Sequence, residues 1–338
     1  MMVLKSEGTR WDMRAARKYR NAILGGALCA LAAGPALAQG NFPTRPITLV
    51  VPLPAGGTAD LLCRFAAEKA TAGLGQQVVV ENRPGGAGGR VGMDQVMRAT
   101  PDGYTLLCGT QLMFSITHLV FTKSQADART MEPISVLATY PLIIITKAAL
   151  PVSNVKEFIA YAKANPGKLN YGHQGKGNTG HLLGELMMMK AGFQMTEIPY
   201  RGSAPAINDL LAGTIDMVPD YLLANKQNID VGKIKFIATA SEQRLKDYPN
   251  VETIGETLPG VTSTTWMAVA APPGTPKEIT QKIADAISQG FKQPDLVAKI
   301  RRLEADPLGS SPQQMRDMIK QSEDTWAPVV KARNISVD

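Results

Sequence analysis

Histidine and cysteine are scarce: 338 residues contain three of each. Each histidine can therefore be weighed singly. Ser203 begins a turn, yet none of His118, His173 and His181 has a positional claim on it, so a Ser-His-Asp arrangement has no footing. His181 and Glu185 stand four apart on a helical stretch, a spacing that can bind a metal, but no third ligand accompanies them, and no metal is expected. His118 has no partner nearby and reads as structural. His173 is either a ligand contact or a solvated loop residue. The run Met187, Met188, Met189 fails as a copper site, because consecutive side chains radiate around a helix instead of converging. Of the cysteines, Cys29 falls in an N-terminal apolar run, Cys63 in a helical stretch and Cys108 in a strand-like one. The plain reading of the last two is a pair of buried thiols. Export would permit a disulfide, and connectivity is not readable from sequence.

Long apolar runs are missing too. The one candidate, residues 22–33, is too short and too rich in Gly and Ala to span a membrane stably. Arg10, Arg14, Arg17, Lys18 and Arg20 precede it, and Ala36-Leu37-Ala38 supplies an A-x-A cleavage site, so residues 1–38 read as a secretory signal peptide cleaved after Ala38. Leu28 before Cys29 argues against a lipoprotein site, which wants a small residue there. Strong charge is absent as well. Residues 1–38 hold six Lys/Arg and two Asp/Glu, which is +4 of the total +7 and leaves +3 for the rest. That excludes a strong nucleic-acid footprint. The expectation is an exported periplasmic protein with no membrane insertion, acting as a monomer.

What is present is a strand–turn–helix unit used twice. Residues 47–53 form a continuous apolar run, as a strand buried on both faces requires. A PAGGT turn at 54–58 follows, and Thr58 can cap the next helix, with Asp60 in its first turn. Strands at 77–81 and 104–108, with a helix at 90–99 between them, complete a β-α-β-α-β pattern that predicts a parallel sheet. The second copy starts at 168–172. Gly175, Gly177 and Gly180 form a G-x-G-x-x-G turn, and Leu182, Leu183, Leu186, Met187 and Met189 give the following helix an apolar face. A glycine turn opening a helix aims backbone N–H groups outward, with the positive end of the dipole behind them, and so suits an anion. A dinucleotide is disfavoured: the motif lies mid-chain, Lys176 and Asn178 are large, and the 54–58 turn occupies the equivalent place in the other unit. No cofactor is expected. Two long extended stretches, 134–147 (interrupted at Pro141) and 262–271, lie between the units or after them, and only helices follow. The chain is therefore expected to cross into a second lobe near 140 and return near 265, with a hinge at 139–146 and 262–270 and a ligand between the lobes.

Several blocks resemble the periplasmic solute receptors of tripartite tricarboxylate transporters, the Bug family: RPITLVVP at 45–52, PAGGTAD at 54–60, VENRPG at 80–85, PDGYTL at 101–106, residues 175–186, PYRGSAP at 199–205 and APPGT at 271–275. The resemblance covers nearly all of the mature chain. It implies an α/β, two-lobed periplasmic-binding-protein (Venus flytrap) fold, each lobe a mostly parallel sheet flanked by helices, with lobe 1 at 39–140 plus 263–338 and lobe 2 at 141–262. It implies no catalysis, and delivery of a small carboxylate to membrane permease subunits. A pincer of Leu53, Pro54, Ala55, Gly56, Gly57 and Thr58 against Gly175, Lys176, Gly177, Asn178 and Thr179 would hold one carboxylate, partly through ordered water. Gly109, Thr110, Tyr200, Arg201, Gly202, Ala204, Pro205 and Asp220 would line the cleft. The family usually has phenylalanine at Leu53, small residues and serines at His173, Gln174, Lys176 and Asn178, and asparagine at Arg90. Those departures bear on ligand identity. The other functional readings are an exported enzyme using the 175–180 loop and a sensor serving a signalling partner.

A lysine enclosed without an anionic partner loses hydration for nothing. Lys176, His173 and Arg201 stand at or near C-terminal strand ends, with Arg90 at the rim. The expected ligand is therefore an organic acid with two anionic groups, or an aromatic carboxylate with a second acceptor, unless Lys176 points to solvent. N-terminal sequencing of exported protein should read Gln39; an intact Met13 or Ala22 would refute the cleavage site.

Overall fold

The apolar run after the export segment becomes β1 (Ile47–Val51), with four of its five residues buried. It lies between β2 (Val78–Asn82) and β3 (Thr105–Thr110), parallel to both. Helix α1 (Thr58–Leu74) makes the first crossover and ends at Gly75, whose left-handed φ of 70° closes the helix. Helix α2 (Arg90–Met97) makes the second. The structure, a computed structural model, describes residues 42–121 and 127–337. The segment 1–38 and its cleavage site lie outside the described residues. Among those described, no helix is long and apolar enough to cross a membrane.

Strand β4 (Glu132–Lys147) is continuous over 16 residues, and Pro141 does not break it. A proline cannot donate to a sheet ladder and survives only at edges or irregularities. Pro141 falls at such a place. It pairs with Thr264 of β9 (Thr264–Ala271), whereas the next residue, Leu142, pairs with Tyr221 of β7 (Met217–Tyr221). One strand thus serves two sheets. After β4 come α3 (Val155–Ala164), β5 (Asn170–His173), α4 (Thr179–Ala191) and β6 (Thr196–Pro199). Then follow α5 (Ser203–Ala212), β7, α6 (Leu222–Asp230) and β8 (Ile234–Thr239). Strand β5 is parallel to β6 and β7. The full order is β2-β1-β3-β9-β4-β7-β5-β6, with β8 and the two-residue β10 (Asp306–Pro307) also paired to β4.

The α/β architecture with helices flanking two sheet halves is the expected one, but the sheet is mixed, not mostly parallel. Strand β9 is antiparallel to β3 and β4, and β4 is antiparallel to β7 and β8. A segment that leaves one half and a segment that returns to it must run in opposite directions when they lie side by side. Helix α6 lacks an apolar stripe, only Leu222 and Asn225 being buried, so periodicity gave no sign of it. In α4 the expected face needs correction: Met188 is buried and Met189 is exposed, and residues 179–188 are buried all round.

The last helices, α7 (Lys277–Phe291), α8 (Pro294–Arg301) and α9 (Pro312–Ala332), cover the sheet. Helix α9 opens on a Ser311–Gln314 capping box with proline in its first turn. Ser322 near its middle bonds Gln111 and Ser115, both in the segment after β3. One turn later Trp326, Val329 and Val330 enter the core that contains Leu182, Leu183 and Leu186 of α4.

Cys63 and Cys108 form a disulfide, with Cα atoms 6.0 Å apart, which corrects the reading of two free thiols. It ties α1 to β3 under β1. A closed loop of 45 residues restricts the unfolded chain by an amount worth about 4 kcal/mol in the chain-entropy picture. Replacing both cysteines with alanine should lower the unfolding free energy by about 2–4 kcal/mol in urea titrations, and reduction of the wild type should lower it similarly. Equal midpoints with and without reductant would refute the structural role.

Candidate functional site

The first turn, between β1 and α1, is shaped around a buried carboxylate. Asp60, 1% exposed, accepts the Gly56 N–H at 2.9 Å, the Asn82 amide at 2.9 Å and the Arg64 guanidinium at 2.8 Å. Asn82 also donates to the Leu53 carbonyl at 3.1 Å, so the end of β2 holds both edges of the turn. Gly56 has φ of +90°, a left-handed conformation that favours glycine. With Gly56 N–H occupied, the first-turn N–H groups of α1, which have no helical partner, are the donors left to an anion. Pro54, Ala55, Gly56 and Gly57 are exposed, and Leu53 and Thr58 half-buried. Gly109, by contrast, is buried against Met113, and Thr110 is half-buried beside it.

The second turn, between β5 and α4, explains the spacing of its three glycines. Gly175 and Gly177 have φ of +125° and +78°. Gly180 is needed for a different reason: a Cβ there would lie 2.8 Å from the Pro219 carbonyl oxygen and 2.6 Å from Gln174 Oε1. Asn178 caps α4 by accepting the His181 N–H at 3.1 Å. Behind the turn lies a second buried carboxylate. Asp220, 0% exposed, accepts Gln174 Nε2 at 2.8 Å, Ser203 Oγ at 2.7 Å and Asn225 Nδ2 at 3.0 Å. Burial raises its carboxyl above the usual range, and the donors pull it partly back. Asp220 therefore binds the start of α5 to the glycine turn. Both turns lie at C-terminal ends of parallel strands, one in each half of the sheet.

The family model of the tripartite tricarboxylate transporter family receptor, TctC, matches residues 62–335. The chain belongs to the TctC family. It is 34% identical over 316 residues to a UPF0065 protein in the tcbD-tcbE intergenic region of Pseudomonas sp. (strain P51), covering 92% of this chain and 94% of that one. Protein BugT of Bordetella pertussis is 33% identical over 301 residues, covering 86% and 90%. Among solved structures, R. palustris Rpa4515 with adipate matches at TM-score 0.75 and 34% identity over 87% of this chain and 99% of that one. MatC from Rhodopseudomonas palustris with bound malate matches at TM-score 0.72 and 28% identity, covering 86% and 100%. TctC proteins are solute-binding receptors, not enzymes, so the reading of the 175–180 loop as part of an enzyme falls.

In this TctC receptor the residues around the second turn divide. Tyr200 donates its hydroxyl to Asp209 at 2.6 Å, which commits it to α5, and burial with that contact pushes its phenol up to about 12. Gly202 has φ of +100°, and Arg201, Ala204 and Pro205 are exposed. Lys176 is exposed and lines a recess of about 340 Å³ with His181, Glu185, Glu197 and Arg333. Two carboxylates of the protein already share that recess, so Lys176 no longer argues for a second charge on the ligand. His173 is fully buried and is therefore not a solvated loop residue. His118 is not without a partner: its Nε2 lies 3.1 Å from Glu323.

His173, His181 and Glu197 offer donor atoms within 4.8 Å of one another, a grouping the i, i+4 reading of His181 with Glu185 missed. The lone pairs do not suit a metal. His173 Nδ1 accepts the Gly175 N–H at 3.3 Å and His181 Nδ1 accepts the Gly177 N–H at 3.1 Å. A neutral imidazole has one lone pair, so each ring carries its proton on Nε2 and offers nothing to a cation there. Sequence reasoning also missed Tyr140 and Tyr221, whose rings meet edge-on at 5.3 Å where β4 changes sheets. The Tyr221 hydroxyl faces those of Thr265 and Thr179, and burial raises its phenol to about 12. A tyrosine at a strand end carries no signal by itself; only the pairing of β4 with β7 brings these together.

Replacing Asp60 with alanine leaves the Gly56 and Asn82 donors without an acceptor. It should cost about 1.5–3 kcal/mol in denaturant unfolding at pH 7. Burial would raise the Asp60 carboxyl, but Arg64, the Gly56 N–H and Asn82 together outweigh it and hold it below 3.8. A depressed carboxyl stabilises fully above its unfolded value and loses that contribution as pH falls through its folded one. The gap between wild type and variant should therefore shrink as pH drops below 3.8, the unfolded reference. A pH-independent gap would refute an ionic brace.

Proposed function

We propose that this receptor is exported to the periplasm, captures a small dicarboxylate between its two halves and hands it to membrane permease subunits. The observation that carries the reading is the pair of turn–helix starts, 53–58 and 175–179, at the C-terminal strand ends of the two halves. Each is braced from behind by a buried aspartate, which leaves first-turn N–H groups for an oxyanion. One carboxylate of the ligand sits between Gly57, Thr58 and Thr179, and the hydroxyls of Thr179 and Tyr221 meet its remainder. Support for two carboxylates comes from the relatives solved with adipate and with malate. The halves close about 139–146 and 262–270, because a ligand touching both favours the closed state by its differential contacts. The receptor acts as a monomer.

Mass spectrometry of small molecules released from denatured native protein should find a di- or polycarboxylic acid. Adipate or malate should raise the melting temperature in proportion to the logarithm of ligand over Kd and should reduce the radius of gyration in solution scattering. An unchanged radius on binding would mean a rigid receptor. NAD should not bind: the 175–180 glycines are accounted for by backbone shape and close packing alone, and micromolar NAD binding by calorimetry would overturn that.

A further inference from the structure

The side chains that shape the 175–180 turn lie on its far side, in the recess behind it. Gly175 and Gly177 each donate their N–H to an imidazole Nδ1, at 3.3 and 3.1 Å. The two rings lie 4.5 Å apart, centroid to centroid, and are 0% and 1% exposed. Their Nε2 atoms converge on one carboxylate: Glu197 Oε2 is 2.7 Å from His181 Nε2 and 3.7 Å from His173 Nε2. An ionised carboxylate only accepts, so His181 Nε2 donates, as its Nδ1 lone pair requires. His173 Nε2 is buried with no hydrogen-bond partner and points the same way. Tyr171, Glu185, Lys176 and Arg333 are the other titratable groups facing the pair. The Tyr171 hydroxyl donates to Glu185 Oε1 at 2.6 Å, Arg333 donates to Glu185, and Lys176 lines the same recess.

We propose that His173 and His181, as neutral Nε2–H imidazoles oriented by Glu197, are the positioning residues of the second carboxylate-holding turn, which is competent only while both rings are uncharged. This rests on the turn being one arm of the capture site. Neither ring touches the ligand. Each holds one glycine N–H back, so that the turn keeps its left-handed steps and presents Thr179 and Gly180 at the helix start. Protonation places an Nδ1–H against an amide N–H, and two donors cannot share that contact. The turn then has to open.

The electrostatics give the sign. Burial first, then the neighbouring His181, lowers His173 from 6.5 to about 4, against the pull of Glu197. Burial lowers His181 as well, against Glu197 and Glu185. Folded values below the unfolded one mean that the folded state binds fewer protons, so the turn is at full stability above 6.5 and loses it as pH falls from there towards about 4. Capture is favoured at neutral pH and release on acidification.

The test has a ligand-free arm and a ligand arm. Imidazole nitrogen spectra of histidine-labelled protein at pH 7 should show the Nε2–H tautomer on His173 and His181. Amide exchange at Gly175 and Gly177 should be slow, and should accelerate together on acidification. With adipate and malate as probes, His173→Leu should stay folded yet bind about tenfold more weakly, the scale of one lost hydrogen bond. His173→Asn, whose Oδ1 stands near the place of Nδ1, should recover most of that loss. Paired with His181→Asn it should flatten the acid limb of binding to what the probe's own carboxyls impose. An Nδ1–H tautomer on either ring would overturn the proposal. So would stoichiometric zinc binding through Nε2, or His173→Leu with unchanged Gly175 exchange and unchanged affinity. If the wild type binds neither probe, the capture reading fails, while the tautomer and exchange data still judge the positioning role.

Discussion

Strand β4 is a single stretch of backbone whose hydrogen bonds are divided between two sheets, and the placing of both turns depends on that division. Through Pro141 it pairs with β9; from Leu142 it pairs with β7 and β8. Backbone donors and acceptors are obligatory partners, so the register fixes where each half's strand ends lie. A proline at the changeover forfeits one donor where the ladder is already interrupted. The same arrangement brings the Tyr140 ring against that of Tyr221 where the strand changes partners.

On that frame the two turns solve one problem by the same means. A turn that is to bind an oxyanion through its backbone must leave some N–H groups unsatisfied, and unsatisfied turns relax unless something else holds them. In the first turn Asp60 takes Gly56 N–H and Asn82; in the second, Asp220 takes Gln174, Ser203 and Asn225. Both carboxylates are buried, each with three or more donors, which is the condition under which a buried charge is tolerable. They stand behind the turns, and their negative charge is spent on the protein's own donors. The positive ends of α1 and α4 are thereby left without a carboxylate of the protein's own taking their first N–H groups, as the proposed capture site requires.

What the amino-acid sequence reveals of this molecule is what is local. The apolar run of β1, the glycines at 175, 177 and 180, and the Ser311 capping box each specify their own geometry, and each stands as read. The TctC resemblance is carried by such short blocks. What it hides is pairing across distance. Cys63 and Cys108 are both buried in one half, but only the packing of α1 on β3 brings their Cα atoms to 6.0 Å. The antiparallel middle of the sheet depends on β9 returning beside β4 from more than a hundred residues away. Lys176 is next to glycines that shape the crevice, yet its side chain lines the recess with Glu185 and Glu197. A one-residue step in a tight turn reverses the direction of a side chain, so proximity in sequence was a poor guide there. His173 was ambiguous for the same reason, since its partners sit on α4 and β6.

The C-terminal helix limits how the halves can move. Ser322 of α9 is hydrogen-bonded, fully buried, to Gln111 and Ser115 after β3, while Trp326, one turn on, is packed among Leu182, Leu183 and Leu186 of α4. Beyond the helix, Val337 N–H pairs with the Val120 carbonyl, and a Cβ on Gly177 would lie 2.9 Å from Val337 and 3.2 Å from Val120. A rotation that pulled the halves apart at these points would break close packing, which deforms little. The β4 changeover at Pro141 and the 322–326 turn of α9 therefore both tie the two halves of the sheet together. The closure proposed above would change the separation of the two helix starts while preserving the shape of each turn, which is what capture of a carboxylate by backbone N–H groups would require.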